Sequence, residues 1–195
     1  MSKIILASKS KVRAEILKKN HIDFEISPSS IDEDNVKKSL LLEGATPELI
    51  SKNLAELKAN SVSKKHQDKI VLGADSVIDL NGELISKPTS RDNALDILKK
   101  LNGKKHFLIS SVCISKNGNM IWNYTDKSVL TMKLFSDRDL IDYLSKLTDD
   151  LIYAYNVYQI EGIGKTLFTN ISGDKDSIMG LPIIKINNYL KEILC

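Results

Sequence analysis

Two kinds of chain connection alternate along this sequence, and together they restrict the fold more than any other feature. Residues 70–80 read IVLGADSVIDL, an apolar strand-like run, and the Asn-Gly pair that follows is typical of a type I′ hairpin. Other strand-like runs, such as residues 4–7 and 24–27, are separated by helical patterns. Hairpins pair strands antiparallel, and helical crossovers pair them parallel. The sequence therefore predicts an α/β protein with a mixed, elongated central sheet and flanking helices.

Capping residues predict where several helices begin and end. Thr46 before Pro47 starts one helix, and Ser136 with Asp139 forms a capping-box-like start for another. Gly103 follows the helix that Ser90 opens. The remaining predicted elements are strands at residues 83–86, 106–115, 120–134 and 165–171, and a helix after Pro182.

The bulk composition is that of a globular protein and excludes several classes. The 195 residues are 42% hydrophobic and 27% charged, which suits a single domain over residues 1–195. The net charge of +3 is spread along the chain without a dense basic block, so a small anionic ligand fits better than duplex DNA. Cys113 and Cys195 suggest no disulfide framework or zinc site, and no signal peptide or membrane-length apolar run is visible. We expect a cytoplasmic protein.

The stretch LASKSKVR, residues 6–13, joins a buried strand to a helix. Ser8 or Ser10 can cap that helix by accepting from a backbone N–H, and capping alone would explain both serines. A helix N-terminus also favours an anion, and Arg13 would add a bidentate phosphate donor. The stretch by itself leaves both interpretations open.

Two acidic positions are candidates for chemistry. Asp75 interrupts an apolar strand, where aspartate is rare and seldom buried without a partner. Either it hydrogen-bonds to a neighbouring turn, or it binds a divalent cation or deprotonates water at the edge of a cleft. Glu33 is the second candidate, although the acidic run at residues 32–34 would alone be read as a solvated loop.

Three cationic positions could face a polyphosphate. Lys58 lies four residues after Leu54 on the apolar side of its helix, where it either extends to solvent or faces a cleft. Lys87 precedes a proline, so it leaves a strand end in a fixed direction. Arg13 is the third cation, whereas His106, at a strand start, is interpreted as structural. These residues alone predict an α/β protein that binds an anion with a metal.

Taken in order, the motifs resemble the Maf family of nucleoside triphosphate pyrophosphatases. LASKSKVR resembles the family's opening LASxSxxR, GADSVI is similar to GAD[TSQ]VV, and LNGKKHFLISSV is similar to LSGxxHxVxTxV. SSIDEDNV, ELKANSV and SKP match the segments that place a glutamate and two lysines. YQIEGIGKTLFTNISGDKDSIMGLPII matches the closing block, so the resemblance runs from residue 4 to about residue 190.

The resemblance implies an enzyme that hydrolyses a nucleoside triphosphate to the monophosphate and pyrophosphate with Mg²⁺, Mn²⁺ or a similar divalent ion. It implies a mixed-sheet fold of two lobes around a substrate cleft, often in a homodimer. Asp75 matches the proton acceptor that activates water, and Glu33 with Asp75 matches the metal-holding pair. The phosphate-binding set matches Ser8, Ser10, Arg13, Lys58 and Lys87.

Departures from the pyrimidine-specific members point to another substrate. Those members carry arginine at the position of Val12 and glutamine at that of Glu161, and small residues where Tyr155, Asn156 and Val157 stand. The closing block is closer to the branch that includes 7-methyl-GTP pyrophosphatases. A carboxylate only accepts hydrogen bonds, which suits the N1–H and N2–H₂ donors of a guanine-type base. We therefore expect a purine-type or modified substrate, with Val12, Ser76 and Glu161 shaping the base pocket.

Two alternatives remain at this point. One is a non-catalytic binding protein that inhibits septum formation, since the family's name comes from a cell-division phenotype. The other is a pyrimidine-selective dTTP/UTP pyrophosphatase with the same housecleaning role of keeping modified nucleotides out of nucleic acids. We expect no membrane association and, without a basic stripe bearing aromatic platforms, no stable nucleic-acid binding.

Overall fold

A computed structural model describes residues 3–154 and 156–194. The first half of the chain forms β1 (Ile4–Leu6), α1 (Lys11–Lys19), β2 (Phe24–Ile26), α2 (Glu33–Leu42), α3 (Pro47–Ser63), β3 (Val71–Leu80), β4 (Glu83–Ile85) and α4 (Arg91–Leu101). The second half forms β5 (Lys105–Lys116), β6 (Asn119–Met132), α5 (Asp137–Ser145), α6 (Asp149–Ala154), a 3₁₀ helix (Ile163–Leu167), β7 (Phe168–Ser172), α7 (Lys175–Ile178) and α8 (Ile183–Leu194).

The described strands form one mixed sheet, as the sequence predicted. Their order is β2-β1-β3-β5-β6-β7, with β4 beside β3. β1 pairs parallel with both β2 and β3, and the connections between these strands contain helices. β3 pairs antiparallel with β4, and β6 pairs antiparallel with β7. Both connection types inferred from the sequence are therefore present in the sheet.

The local turn and cap signals are confirmed at several boundaries. Asn81 and Gly82 both have positive φ, as a type I′ turn requires, and the Ser136–Asp139 capping box is complete. Gly103, with φ of +68°, follows α4 at the predicted position.

Two predictions about backbone structure are wrong. The strand expected at residues 165–171 is a 3₁₀ helix up to Leu167 and a strand only from Phe168. The chain bends tightly just before β7, since a Cβ on Gly164 would lie 2.6 Å from the backbone of Gln159. The residues that follow this bend are therefore not yet extended. The acidic run is not a loop either, because Asp32 caps α2 and Glu33 begins it.

The chain divides into two compact units, each with its own hydrophobic core. The first unit contains Met1–Val77, Ile109–Lys127 and Asp174–Cys195, and the second contains Ile78–Leu108 and Ser128–Gly173. In the first unit, β1 and β3 pack with α1 and α8 through side chains that include Leu6, Leu17, Leu72 and Ile186. In the second unit, α4 and α5 pack on the strands through side chains that include Leu98, Leu101, Leu130 and Leu140.

Within residues 3–154 and 156–194, no helix is both long and apolar enough to cross a membrane.

Candidate active site

The turn between β1 and α1 arranges two serine hydroxyls at a helix N-terminus. Ser10 is the N-cap, and its Oγ accepts from the backbone N–H of Arg13 at 3.3 Å. The backbone N–H of Ser10 in turn donates to Oγ of the buried Ser8 at 3.2 Å. Of the two capping candidates, Ser10 is therefore the cap of α1. The nine-residue helix behind it directs a positive dipole end toward this turn.

Arg13 connects this turn to the middle of β3. Its Nη1 donates to Ser8 Oγ at 3.2 Å and to the carbonyl oxygen of Ala74 at 3.0 Å. Its Nη2 donates to Ser76 Oγ at 3.1 Å, and its Nε donates to the carbonyl oxygen of Gly180 at 3.1 Å. A guanidinium has five N–H groups, so these four hydrogen bonds engage most of its donor capacity. Burial lowers the pKa of Arg13, and the charges of Asp75 and Glu33 oppose that shift.

Gly180 lies against the guanidinium with little room for a side chain. A Cβ at this position would stand 3.2 Å from Arg13 Nε and 3.3 Å from Ser76 Oγ, and its φ of +107° also disfavours other residues. Ser76 in turn shares a 3.0 Å hydroxyl contact with Ser110. Ser76, predicted to shape a base pocket, is thus part of the Arg13 hydrogen-bond network.

Lys58 lies between two carboxylates. Its Nζ is 2.8 Å from Asp75 Oδ1 and 2.9 Å from Glu33 Oε2. The side chains of Lys58 and Asp75 are each only 8% exposed, whereas that of Glu33 is 41% exposed. The interpretation of Lys58 as extending to solvent is wrong, and so is the interpretation of Asp75 as bonded to a turn. The two buried charges instead pair with each other.

Close packing of α3 on β3 brings these two residues together. A Cβ on Gly73 would lie 2.3 Å from the carbonyl oxygen of Ala55 and 2.7 Å from the backbone N of Ala59. Only glycine permits this approach of helix to strand. Lys58 is on the next turn of α3 after Ala55, and Asp75 is two residues beyond Gly73 on β3.

One oxygen of Asp75 has no protein partner. Oδ1 accepts from Lys58, whereas Oδ2 is buried without a hydrogen bond among the described atoms. The backbone at Asp75 is fixed because the buried Ser51 hydroxyl donates to its carbonyl oxygen at 3.2 Å. A buried carboxylate oxygen without a partner is costly, which points to a ligand, metal or water at this position.

The electrostatics keep Glu33 ionised. Desolvation acts to raise the pKa of Glu33, but the charge and hydrogen bond of Lys58 outweigh it, with smaller help from Lys37 and Arg13. The pKa therefore lies below its ordinary value.

Asp75 and Glu33 are two carboxylates, and the described ranges 3–154 and 156–194 contain no group of three or more His, Cys, Asp or Glu residues suited to a metal. A metal here would need further ligands from water or substrate, as is usual for Mg²⁺ with phosphate substrates.

Two predicted site residues belong to the second unit. Lys87 follows β4 and is exposed, and Glu161 is also exposed. Gln159 Nε2 donates to Glu161 Oε1 at 3.2 Å. Val12 was expected, with Ser76 and Glu161, to set specificity. It packs against the core of the first unit.

The bulky segment that departs from the family pattern lies only partly within the described residues. Tyr155 lies outside them, as does Cys195. Asn156 has φ of +63°, and its side-chain Oδ1 accepts from the N–H of Val157 at 3.0 Å. The side chain of Val157 is fully buried in the core of the second unit. Val157 therefore has a packing role.

His106 is structural, as expected. It is fully buried, its Nε2 lies 2.9 Å from the hydroxyl of Tyr158, and its ring packs against Phe168. Burial lowers the pKa of His106 to about 4.

Sequence reasoning did not identify Gly73, Gly180 or Ser51 as site-forming residues. Gly73 has a signal in hindsight, because Ala55 and Ala59 are small residues at i and i+4 on α3. Gly180 and Ser51 have no local signal, since their partners are distant in the chain.

The fold and the site together define a class: an α/β protein whose buried carboxylate–lysine pair and serine-lined helix start suit an anionic ligand. Residues 3–193 match the family described as Maf-like protein. The chain is 62% identical over 193 residues to the nucleoside triphosphate pyrophosphatase of Pelagibacter ubique, covering 99% of both chains. It is 38% identical over 187 residues to the protein of the same name from Ruegeria pomeroyi, covering 96% of this chain and 94% of the relative. This chain therefore belongs to the Maf-like protein family.

Among solved structures, the Ham1 protein of Staphylococcus aureus aligns with a TM-score of 0.40 and 19% identity. The alignment covers 70% of this chain and 73% of that one.

Proposed function

We propose that this protein hydrolyses a nucleoside triphosphate at the anhydride between the α- and β-phosphates, releasing the monophosphate and pyrophosphate. The observation that carries the proposal is the buried Asp75, with Oδ1 held by Lys58 and Oδ2 without a protein partner. Full-length relatives named nucleoside triphosphate pyrophosphatase support the reaction class.

In this proposal Asp75 acts as the general base through Oδ2. It takes a proton from a water molecule whose oxygen bonds to the α-phosphorus, while the bond from that phosphorus to the bridging oxygen breaks. The electron pair leaves with pyrophosphate. Before any cation binds, Lys58 fixes the carboxylate by bonding the other oxygen, so Oδ2 is held in one orientation. A positioned base of this kind contributes roughly 10²–10⁴-fold to the rate.

The residues present fit a divalent cation. Glu33 and Asp75 offer the one or two carboxylates that Mg²⁺ uses when waters and phosphate oxygens complete its shell. The Asp75 carboxylate and the ionised Glu33, which already share one cation in Lys58, both favour a cation nearby. When bound, the metal would neutralise charge on the phosphates.

The phosphate-binding role is assigned to the start of α1 together with the cations. Ser8 and Ser10 present hydroxyls beside a helix N-terminus, which favours an anion. Arg13 supplies positive charge behind them while most of its donors hold protein atoms. Lys58 and Lys87 are assigned to phosphate by the family motif that they match.

For the substrate, we propose a purine-type or modified guanosine triphosphate, with Glu161 as the residue that recognises its nucleobase. Its exposed carboxylate uses Oε1 for the bond from Gln159, and a carboxylate accepts several hydrogen bonds. This favours bases that present adjacent N–H donors.

The test is pyrophosphate release by the purified protein with Mg²⁺ or Mn²⁺. The substrates are the common nucleoside triphosphates, 7-methyl-GTP and modified uridine and cytidine triphosphates. Asp75→Asn should abolish turnover. Asp79→Asn is the matched control, because Asp79 is also buried on β3 and its bond from the Gly82 N–H is one that asparagine can accept. A folded wild-type protein without metal-dependent turnover would favour the septum-inhibiting, non-catalytic alternative.

A further inference from the structure

The position of Lys58 suggests more than a passive ion pair. Its Nζ lies within 2.9 Å of one oxygen from each of the two carboxylates that the proposed function assigns to the metal. An ammonium between two carboxylate oxygens occupies the place where a divalent cation would bridge them. Asp75 Oδ2, in contrast, is buried without a hydrogen bond among the described atoms.

We propose that Lys58 is a displaceable counter-cation: a divalent ion takes its place between Asp75 Oδ1 and Glu33 Oε2, and the released ammonium moves to the substrate phosphates. This inference rests on the proposed function for the identity of the metal and the phosphate. It gives the two oxygens of Asp75 separate tasks. Oδ1 faces the cation, first Lys58 and then the metal, and Oδ2 remains available to accept the proton from water.

Charge balance favours an exchange over joint occupancy. Glu33, Asp75 and Lys58 together carry one net negative charge, and the charge of nearby Arg13 opposes it, so the attraction for a divalent ion is small. With the ammonium kept in place, the metal would lie against a positive charge in a mostly buried setting, where repulsion is weakly screened. Once Lys58 has left, the metal faces two carboxylates, and the ammonium adds a cation for the phosphates.

The local structure allows the exchange without moving the scaffold. The α3 backbone is fixed against β3 by the close contacts of Gly73 with Ala55 and Ala59. The side chain of Lys58, in contrast, has a flexible four-carbon stem. Glu33 is half-exposed and belongs to α2, a helix with no fully buried residue. Glu33 can therefore adjust its position to a new cation while Asp75 stays in place.

A consequence is coupling between metal and nucleotide. In the absence of nucleotide, the metal must break two ion pairs of Lys58 and the ammonium gains no new partner. When a triphosphate is present, the ammonium gains phosphate oxygens, so each ligand should raise the affinity for the other by the same factor.

The first measurement is Mn²⁺ binding without nucleotide, by calorimetry or by the electron paramagnetic resonance signal of free Mn²⁺. Lys58→Met keeps the apolar length of the side chain and removes the competing charge. We expect its Mn²⁺ affinity to rise by about tenfold or more over the wild type, a change of about 1.4 kcal/mol. Lys52→Met is the matched control, because Lys52 forms an exposed ion pair with Glu48 on the same helix and should leave binding unchanged. Equal or weaker binding by folded Lys58→Met would overturn the proposal.

A second measurement uses the wild-type protein and so does not depend on the variant folding. An amine-reactive label is applied with and without Mn²⁺, and the labelled lysines are quantified by mass spectrometry. Displacement should increase the labelling of Lys58 relative to Lys52. Labelling of Lys58 that stays constant or falls as Mn²⁺ is added would overturn the proposal.

Both measurements omit the nucleotide, so their outcome is separate from turnover. Tighter Mn²⁺ binding by Lys58→Met in a protein that releases no pyrophosphate would support the exchange and refute the proposed function. Suppose instead that the wild type releases pyrophosphate, but Mn²⁺ increases the labelling of Lys58 no more than that of Lys52. That result would support the proposed function and refute the exchange.

Discussion

Arg13 donates a 3.0 Å hydrogen bond from Nη1 to the carbonyl oxygen of Ala74, the residue immediately before Asp75. The same guanidinium donates to the hydroxyl of Ser76, the residue immediately after it. Arg13 therefore holds the strand on both sides of the proposed base, and it does so with a planar group of fixed geometry.

Arg13→Lys should lower kcat by about 10²-fold, because a lysine keeps the charge but cannot make the two bonds that hold β3 on both sides of Asp75. If the charge of Arg13 alone mattered, lysine would restore most of the activity. The measurement is steady-state kinetics of pyrophosphate release together with the melting temperature. Arg138→Lys, at an exposed position on α5, is the control and should behave like the wild type.

Gly73→Ala should destabilise the protein by about 1–3 kcal/mol, since the added methyl meets backbone atoms of α3 that cannot rotate away. The matched control is Gly162→Ala, where φ is −112° and the nearest atom is the flexible side chain of Gln159 at 3.2 Å. Urea unfolding of both variants gives the comparison. A Gly73→Ala protein as stable as Gly162→Ala would show that α3 and β3 can separate at no cost.

Glu33→Gln should weaken the binding of the metal that supports the reaction. Removing this carboxylate leaves Asp75 as the remaining acidic ligand of the proposed pair, so the Mn²⁺ concentration for half-maximal rate should rise on the order of tenfold. Asp34→Asn changes the exposed neighbouring carboxylate and should have little effect. An unchanged Mn²⁺ requirement in Glu33→Gln would remove Glu33 from the metal site.

Folding stability should depend on pH through His106. Burial disfavours its charged form, so the unfolded chain protonates this residue near its ordinary pKa of 6.5 and the folded chain only near 4. The contribution to stability is therefore complete above pH 6.5 and is lost as the pH falls toward 4. Between pH 7.5 and pH 5, the wild type should lose about 2 kcal/mol more than His106→Gln. Urea midpoints at the two pH values test this, with His21→Asn as an exposed control; equal losses in wild type and His106→Gln would contradict it.

The sequence predicted those features whose causes are local. Asn81 and Gly82 form the turn expected of them because both tolerate positive φ, and Ser136 with Asp139 caps α5 within a span of four residues. The helix α2 was missed because the acidic run at residues 32–34, where it begins, was read as a solvated loop.

The contacts of the candidate site could not be predicted in the same way. The partners of Arg13 at Ala74 and Gly180 are 61 and 167 positions away, and no periodicity specifies which carbonyl a guanidinium will meet. Lys58 illustrates the limit well. Its place on an apolar helix face predicted a side chain that either extends to solvent or faces a cleft. The close packing of α3 on β3 at Gly73 brings that side chain to Asp75.

Substrate choice should change at Glu161. Glu161→Gln replaces an acceptor-only group with one that both donates and accepts, which matches the carbonyl and N–H edge of uracil or thymine. We expect the ratio of kcat/KM for guanine-type over uracil-type substrates to fall by on the order of tenfold, within the range for loss of one or two base contacts. The bond from Gln159 can be kept, because the glutamine carbonyl still accepts, so the loop conformation should be preserved. Glu43→Gln, an exposed glutamate that follows α2, serves as the control. An unchanged ratio in Glu161→Gln, with activity retained, would show that Glu161 does not read the base.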